Sequence, residues 1–234
     1  MKVGGRVLSG GVVLIATWSL ALTVGSDPSN ASSHSELLQR EIGRLDPGSG
    51  PMTYVLERTL LAADAPGGVA VVHGCEGERP RDFPVLGPTL RDGLVAIQRA
   101  APDYEWHVTD EVVNVTPGDG FPPLLRTPVR GFDSKDANSL IWAANLLVDL
   151  PEVRDAMSRL EFRDAPNQIE LGLGAAPKPG TPPAPTPRPL AVHCQSCAVY
   201  EVLNALVRAK GRGLWIYDER HCGGINTFHI GFSN

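Results

Sequence analysis

The sequence predicts an α+β protein built of small mixed sheets, each packed by one or two helices, with repeated β-α-β-β units. Three observations carry this expectation. Segments whose apolar residues recur at helical spacing alternate with short runs that change from apolar to polar at every second residue. One helix–strand stretch occurs twice. Shifting residues 90–106 by 109 positions sets Asp92 on Glu201, Leu94 on Leu203, Ile97 on Leu206, Arg99-Ala100 on Arg208-Ala209 and Trp106 on Trp215 without a gap. The composition fits a packed core: of 234 residues, 42% are hydrophobic and 20% charged, enough for one sizeable domain or two small ones.

Along the chain, residues 1–26 read as an export signal. Lys2 and Arg6 supply a positive start, Val12 to Leu22 an apolar stretch, and Val24-Gly25-Ser26 small residues for cleavage. The apolar stretch is interrupted by Thr17 and Ser19 and is short for a hydrocarbon layer of ~30 Å. Cleavage is therefore preferred over an uncleaved anchor, and no membrane span is expected in the mature chain. Residues 27–44 form a tether with one short helical candidate at Glu36–Ile42.

The first α+β domain is placed at 45–117. Pro51 to Ala63 puts Val55, Leu56, Thr59 and Leu60 on one helical face. Asp64 to Gly68 breaks it, and Val69 to His73 is a β-branched strand. Thr89 with Asp92 three residues later opens the first copy of the repeat as a capping box. Leu90, Leu94 and Ile97 form its buried stripe. Tyr104, Trp106 and Val108 then alternate with polar neighbours, and Val112–Val115 returns as a hairpin.

A connecting segment follows at 124–174. It holds a strand candidate from Leu125 to Phe132, weakened by Pro128. Asp133 or Ser134 is expected to cap a helix through Leu140, Ala144 and Leu147, and Pro151 to open another through Val153, Met157 and Leu160. A last strand candidate is Gln168–Leu173. Residues 175–189, with seven prolines, read as an extended linker.

The C-terminal β-α-β-β unit occupies 190–234. It is expected to run as a strand at Leu190–His193, a helix at 198–209, a strand at 214–217 and a last strand at Asn226–Phe232. Asp110-Glu111 and Asp218-Glu219 fall at equivalent places in the two copies and read as solvated turn residues. His107 and His229 are expected to face solvent. Trp106, Trp215 and Tyr217 read as packing residues.

Residues 45–116 resemble the short N-terminal domain of secretins and TonB-dependent receptors. The resemblance rests on the strand V-A-V-V-H at 69–73, the helix Thr89-Leu90-Arg91-Asp92-Gly93-Leu94-Val95-Ala96-Ile97, the Tyr-rich strand 104–108 and the valine hairpin 112–115. A partial second copy spans 190–232. Two departures stand out. Asp103 takes the place of the family's glycine before the aromatic strand, and no pore or barrel region accompanies the module. The resemblance implies an exported, non-enzymatic protein–protein interaction module of the bacterial cell envelope, with strand addition at a sheet edge as its mode of binding. It implies no catalytic residue and no cofactor. The formal charge of −5 argues against a nucleic-acid surface.

Four cysteines, Cys75, Cys194, Cys197 and Cys222, favour disulfides in an exported chain. Cys222 is expected to bond Cys194 or Cys197, leaving Cys75 unassigned. Two alternatives use the same residues. Cys194-Gln195-Ser196-Cys197 ahead of a helix has the spacing of a thiol–disulfide oxidoreductase, because a helix N-terminus stabilises a thiolate. Against that reading, the chain has no proline past Pro189 and one hairpin after Ile216. His193, Cys194, Cys197, His221 and Cys222 contain the ligand types of a zinc site, but His221 and Cys222 are adjacent and diverge on an extended backbone.

Overall fold

A computed structural model describes residues 28–135, 137, 139–163 and 190–233. The expected export signal, the strand candidate at 168–173 and the linker at 175–189 lie outside the described residues. Among the described residues, six helices and nine strands follow in chain order. They are α1 (Pro28–Leu38), β1 (Ser49–Gly50), α2 (Met52–Ala62), β2 (Pro66–His73), β3 (Arg81–Asp82), α3 (Leu90–Ala100), β4 (Tyr104–Thr109) and β5 (Val112–Pro117). The chain continues with β6 (Pro128–Asp133), α4 (Leu140–Val148), α5 (Pro151–Arg159), β7 (His193–Ala198), α6 (Val199–Lys210), β8 (Gly213–Cys222) and β9 (Ile225–Ser233).

Local chemistry explains most of the boundaries. Thr89 accepts the Asp92 amide through its hydroxyl, and Asp92 reaches back to the Thr89 amide, closing the expected capping box on α3. Glu201, the counterpart of Asp92 in the second copy, accepts the Ala198 amide at 2.7 Å and makes half of the same arrangement at the start of α6, since Ala198 has no polar side chain to return a bond. Gly211, at φ 86°, closes α6 in the left-handed conformation that side chains disfavour. The cap of α4 is Ser139, whose hydroxyl accepts the Trp142 amide at 3.1 Å; Asp133 and Ser134 are not its caps. Pro51 precedes α2, and its carbonyl receives the Val55 amide. The Glu78 carboxylate adds a cap from afar, taking the Met52 amide at 2.6 Å and the Thr53 hydroxyl at 2.7 Å.

The fold is α+β, centred on a five-stranded mixed sheet in the order β4-β5-β2-β8-β9. Strand β2 lies in the middle and runs parallel to both neighbours, Gly67 opposite Val113 on one side and opposite Leu214 on the other. Each neighbour is half of an antiparallel hairpin, β4–β5 or β8–β9. Strands β1–β3 and β6–β7 form two separate two-stranded ribbons. Residues 45–117 and 190–234 thus contribute to one sheet.

Strand parity assigns the two faces. Val69, Val71, Val113, Val115 and Leu214 pack with Leu56, Leu60, Leu90, Leu94 and Ile97 of α2 and α3. Ala70, Val112, Trp215, Tyr217, Phe228 and Ile230 pack against α4, α5 and α6 on the other face. The chain steps from β2 to β5 on one side, then to β8 on the other. Right-handed crossovers to opposite sides must cover opposite faces, so α3 and α6 lie on opposite faces.

This geometry alters the repeat. The local order helix–strand–strand recurs, but the units are not equivalent. In the first copy the tryptophan strand β4 is the sheet edge; in the second, the tryptophan strand β8 lies against β2. Trp106 packs beside the α3 core, half-buried, whereas Trp215 is fully buried on the other face and donates its indole N–H to Asn204 of α6 at 2.8 Å. The first strand of the second unit is displaced as well. The expected strand 190–193 begins at His193 instead, and β7 pairs with β6 because β8 occupies the free side of β2.

Candidate functional site

The carboxyl ends of β2, β5 and β8 lie at one end of the sheet, where the chain has turned to one side of β2 and then to the other. In parallel arrangements such a switch point leaves a crevice outside the strand ends. Two hollows of about 500 and about 390 Å³ occupy it. Both are lined by Val72, Asp103 and Tyr104. The larger adds His73 at the end of β2, the following loop with Cys75, and Arg81 of β3. The smaller adds the loop after β5, with Phe121 and Arg126, and Glu219 from β8.

Polar pairs lie in and beside the crevice. His73 Nε2 meets Asp218 Oδ1 at 2.7 Å, and its Nδ1 meets the Gly74 carbonyl at 2.9 Å. Arg81 donates to Asp103 at 2.6 Å. On the other face, Tyr217 donates to Glu219, His221 Nε2 meets Glu219 Oε1 at 2.8 Å, and His221 Nδ1 meets Asn226 Oδ1 at 2.8 Å. The Asn226 amide donates to the Leu160 carbonyl at 3.1 Å, which fixes the direction of the amide. Both histidine rings thus place both nitrogens within hydrogen-bond distance of oxygen atoms.

Glu219 is buried within β8 and Asp218 precedes it in the same strand; the turn is made by Gly223-Gly224. The expectation that Asp218-Glu219 are solvated turn residues is therefore corrected. Strand β8 continues past Tyr217 because β2 offers partners as far as Arg220. The alternation Tyr217, Glu219, His221 was the available sequence signal, since every second residue of a strand shares a face. His107 is exposed as expected, with Phe121 edge-on at 5.5 Å. His229 is half-buried, and its Nε2 has no hydrogen-bond partner among the described residues.

The cysteines pair differently from expectation. Cys75 bonds Cys222 across 4.7 Å between Cα atoms, and Cys194 bonds Cys197. Cys222 therefore joins neither Cys194 nor Cys197. The reason is the parallel pairing of β2 with β8, which brings the two strand ends, and the cysteines just beyond His73 and His221, side by side. Cys194 and Cys197 both lie in β7, one element before the helix that the redox reading invoked. The first amides of α6 are also engaged elsewhere: Val199 donates to Thr127, Tyr200 to Leu125, and Ala198 to Glu201. Among the described residues no group of three or more His, Cys, Asp or Glu is arranged to hold a metal ion, so His193, Cys194, Cys197, His221 and Cys222 do not converge. No described helix is long and apolar enough to cross a membrane.

Burial raises the pKa of the Tyr104, Tyr200 and Tyr217 phenols. Tyr104 is pushed up to about 12, first by burial and then by the Glu78 and Asp103 carboxylates, with Arg81 opposing. Tyr217 is raised well above the ordinary phenol value, first by burial and then by Glu219. Unfolded tyrosines ionise near ~10. A folded-state pKa raised above that value contributes stability that is intact below ~10 and lost as pH rises toward ~12. Phenolate absorbance and near-ultraviolet dichroism are expected to change together in that window. Full ionisation near pH 10 with the fold intact contradicts this.

Removing the Glu219 carboxylate strands the Tyr217 hydroxyl in the core and deprives His221 of an acceptor. Glu219→Ala is expected to cost about 1–3 kcal/mol, read by urea unfolding, with Glu219→Gln costing less because its amide still accepts one hydrogen bond. Equal losses in the two variants would show that the network contributes little.

Neither protein-family models, nor curated proteins, nor solved structures give a match to this chain.

Proposed function

We propose that the chain is an exported, non-enzymatic protein–protein interaction module of the bacterial cell envelope, similar in role to the short N-terminal domain of secretins and TonB-dependent receptors. It takes up an extended segment of a protein partner by strand addition at β4. The observation that carries this reading is the position of β4. It ends the five-stranded sheet, and among the described residues no strand pairs with its outer side. Its first residue, Tyr104, lines both hollows of the crevice. A segment laid along β4 would therefore continue into a polar cleft that carries charges of both signs. Backbone pairing supplies the affinity of such contacts and the flanking cleft their selectivity. Glu105 is exposed on this edge, where its charge keeps an unpaired strand from self-association. Export agrees with the sequence of residues 1–26 and with four cysteines held in two disulfides, which persist in oxidising compartments.

The test is site-specific photo-crosslinking in intact cells. A photoreactive residue at position 105 is expected to give one discrete protein adduct, and the same residue at exposed Asp155 on α5 none. Equal labelling from both positions, or none from 105, would remove the proposal.

A further inference from the structure

Strand β7 carries a bond that a regular strand does not accommodate. Residues three apart on an extended chain are ~10 Å from one another and point to opposite faces. The Cα atoms of Cys194 and Cys197 are 6.2 Å apart. The shortening is made at Ser196, which takes φ 57°, a left-handed conformation costly for a side-chain residue. The β6–β7 ladder records the same kink. Pro128 pairs with Ala198, Val129 with Cys197, Gly131 with Gln195, Phe132 with Cys194 and Asp133 with His193. In that register Arg130 falls opposite Ser196, and that rung is missing.

We infer that Cys194–Cys197 is an exchangeable disulfide that accepts two electrons from an external dithiol and switches β7 between a kinked and an extended form. Two observations point to it rather than to Cys75–Cys222, whose Cys75 is itself exposed: the kink at Ser196 and the short loop that the bond closes. Its bond closes a separation of 3 residues against 147, so the fold loses far less stability when it opens. Cys194 is half-exposed between exposed His193, Gln195 and Ser196, while Cys197 is buried. A partner thiolate therefore has access to Cys194 Sγ. Attack there forms a mixed disulfide and breaks the Cys194–Cys197 bond, whose electron pair leaves on Cys197 Sγ and takes up a proton. The partner's second thiol then attacks its own sulfur in the mixed disulfide. This releases Cys194 as a thiol and leaves the partner oxidised. With the bond open, Ser196 can return to extended backbone and complete the rung with Arg130. The engaged amides of α6 withhold the helix-end stabilisation of a thiolate, so the exchange is stoichiometric rather than a turnover reaction.

The experiment titrates the full chain with dithiothreitol, traps thiols by alkylation and maps the cysteine peptides by mass. Cys194 and Cys197 are expected to be labelled at concentrations at least tenfold below those that label Cys75 and Cys222. Amide exchange at 129–132 and 194–198 is expected to slow as they open. Two variants read the coupling to the backbone. Ser196→Gly removes the conformational cost of the kink and is expected to raise the dithiothreitol midpoint two- to fivefold; Ser196→Val, which prefers extended backbone, is expected to lower it. Opening of both disulfides together, opening of Cys75–Cys222 first, or midpoints unchanged in both variants would each overturn the inference.

Discussion

Replacing Gly68 by alanine is expected to lower stability by about 3 kcal/mol or more, and the unfolding midpoint by roughly 10 °C. Gly68 lies in the central strand directly opposite Trp215 of β8. A Cβ built there would come within 1.9 Å of Cε2 of the indole and 2.3 Å of its nitrogen. The ring cannot step aside. It is fully buried, its N–H is held by Asn204, and Phe121 packs near it at 6.3 Å. Gly67 makes a useful contrast. Its nearest neighbour is the end of the Leu60 side chain, at 2.4 Å, which can rotate, although the Val113 carbonyl at 3.1 Å limits the relief. Gly67→Ala is expected to cost less. A double-mutant cycle isolates the cause: with Trp215→Leu in place, adding Gly68→Ala is expected to cost under ~1 kcal/mol. The same cost in both backgrounds would show that the indole is not what the methyl meets.

That collision also shows where the sequence was informative and where it was not. The starts of α3 and α5 were legible, because Thr89 with Asp92 and Pro151 act through their nearest neighbours, whereas the cap of α4 was not. So were the stripe Leu90, Leu94, Ile97 and its counterparts Leu203 and Leu206, since burial of one helical face follows from spacing alone. The pair Gly67-Gly68 reads locally as a breaker, yet both lie inside β2. The reason for Gly68 is the indole of Trp215, far along the chain, and no local pattern encodes that. Glu219 was misplaced for a related reason. An acidic pair after an aromatic strand looks like a turn until a long parallel partner extends the strand beneath it. The repeat misled about the sheet because packing residues specify a helix on a strand, not which side of β2 that strand will take.

The disulfide pairing has the second large consequence. Cys75 and Cys222 enclose 147 residues, and on the chain-entropy description a bridge of that span stabilises the fold by about 5 kcal/mol. Most of a domain's net stability is of that size, so the Cys75→Ser/Cys222→Ser double variant is expected to be partly unfolded at 37 °C. The loss arises mainly in the unfolded chain, but the folded chain has a weak point at the same place. The loop after β2 is tied to β8 by this bond, by Arg220 donating to the Cys75 carbonyl and by His73 on Asp218, so the crevice wall loosens with it. Cys194→Ser/Cys197→Ser, which frees a short kink in β7, is expected to cost much less. Urea unfolding of both double variants under oxidising conditions decides the matter. If the two lose equal stability, or if peptide mapping of the native chain links Cys222 to Cys194 or Cys197, the parallel pairing of β2 with β8 is not what holds this end of the sheet together.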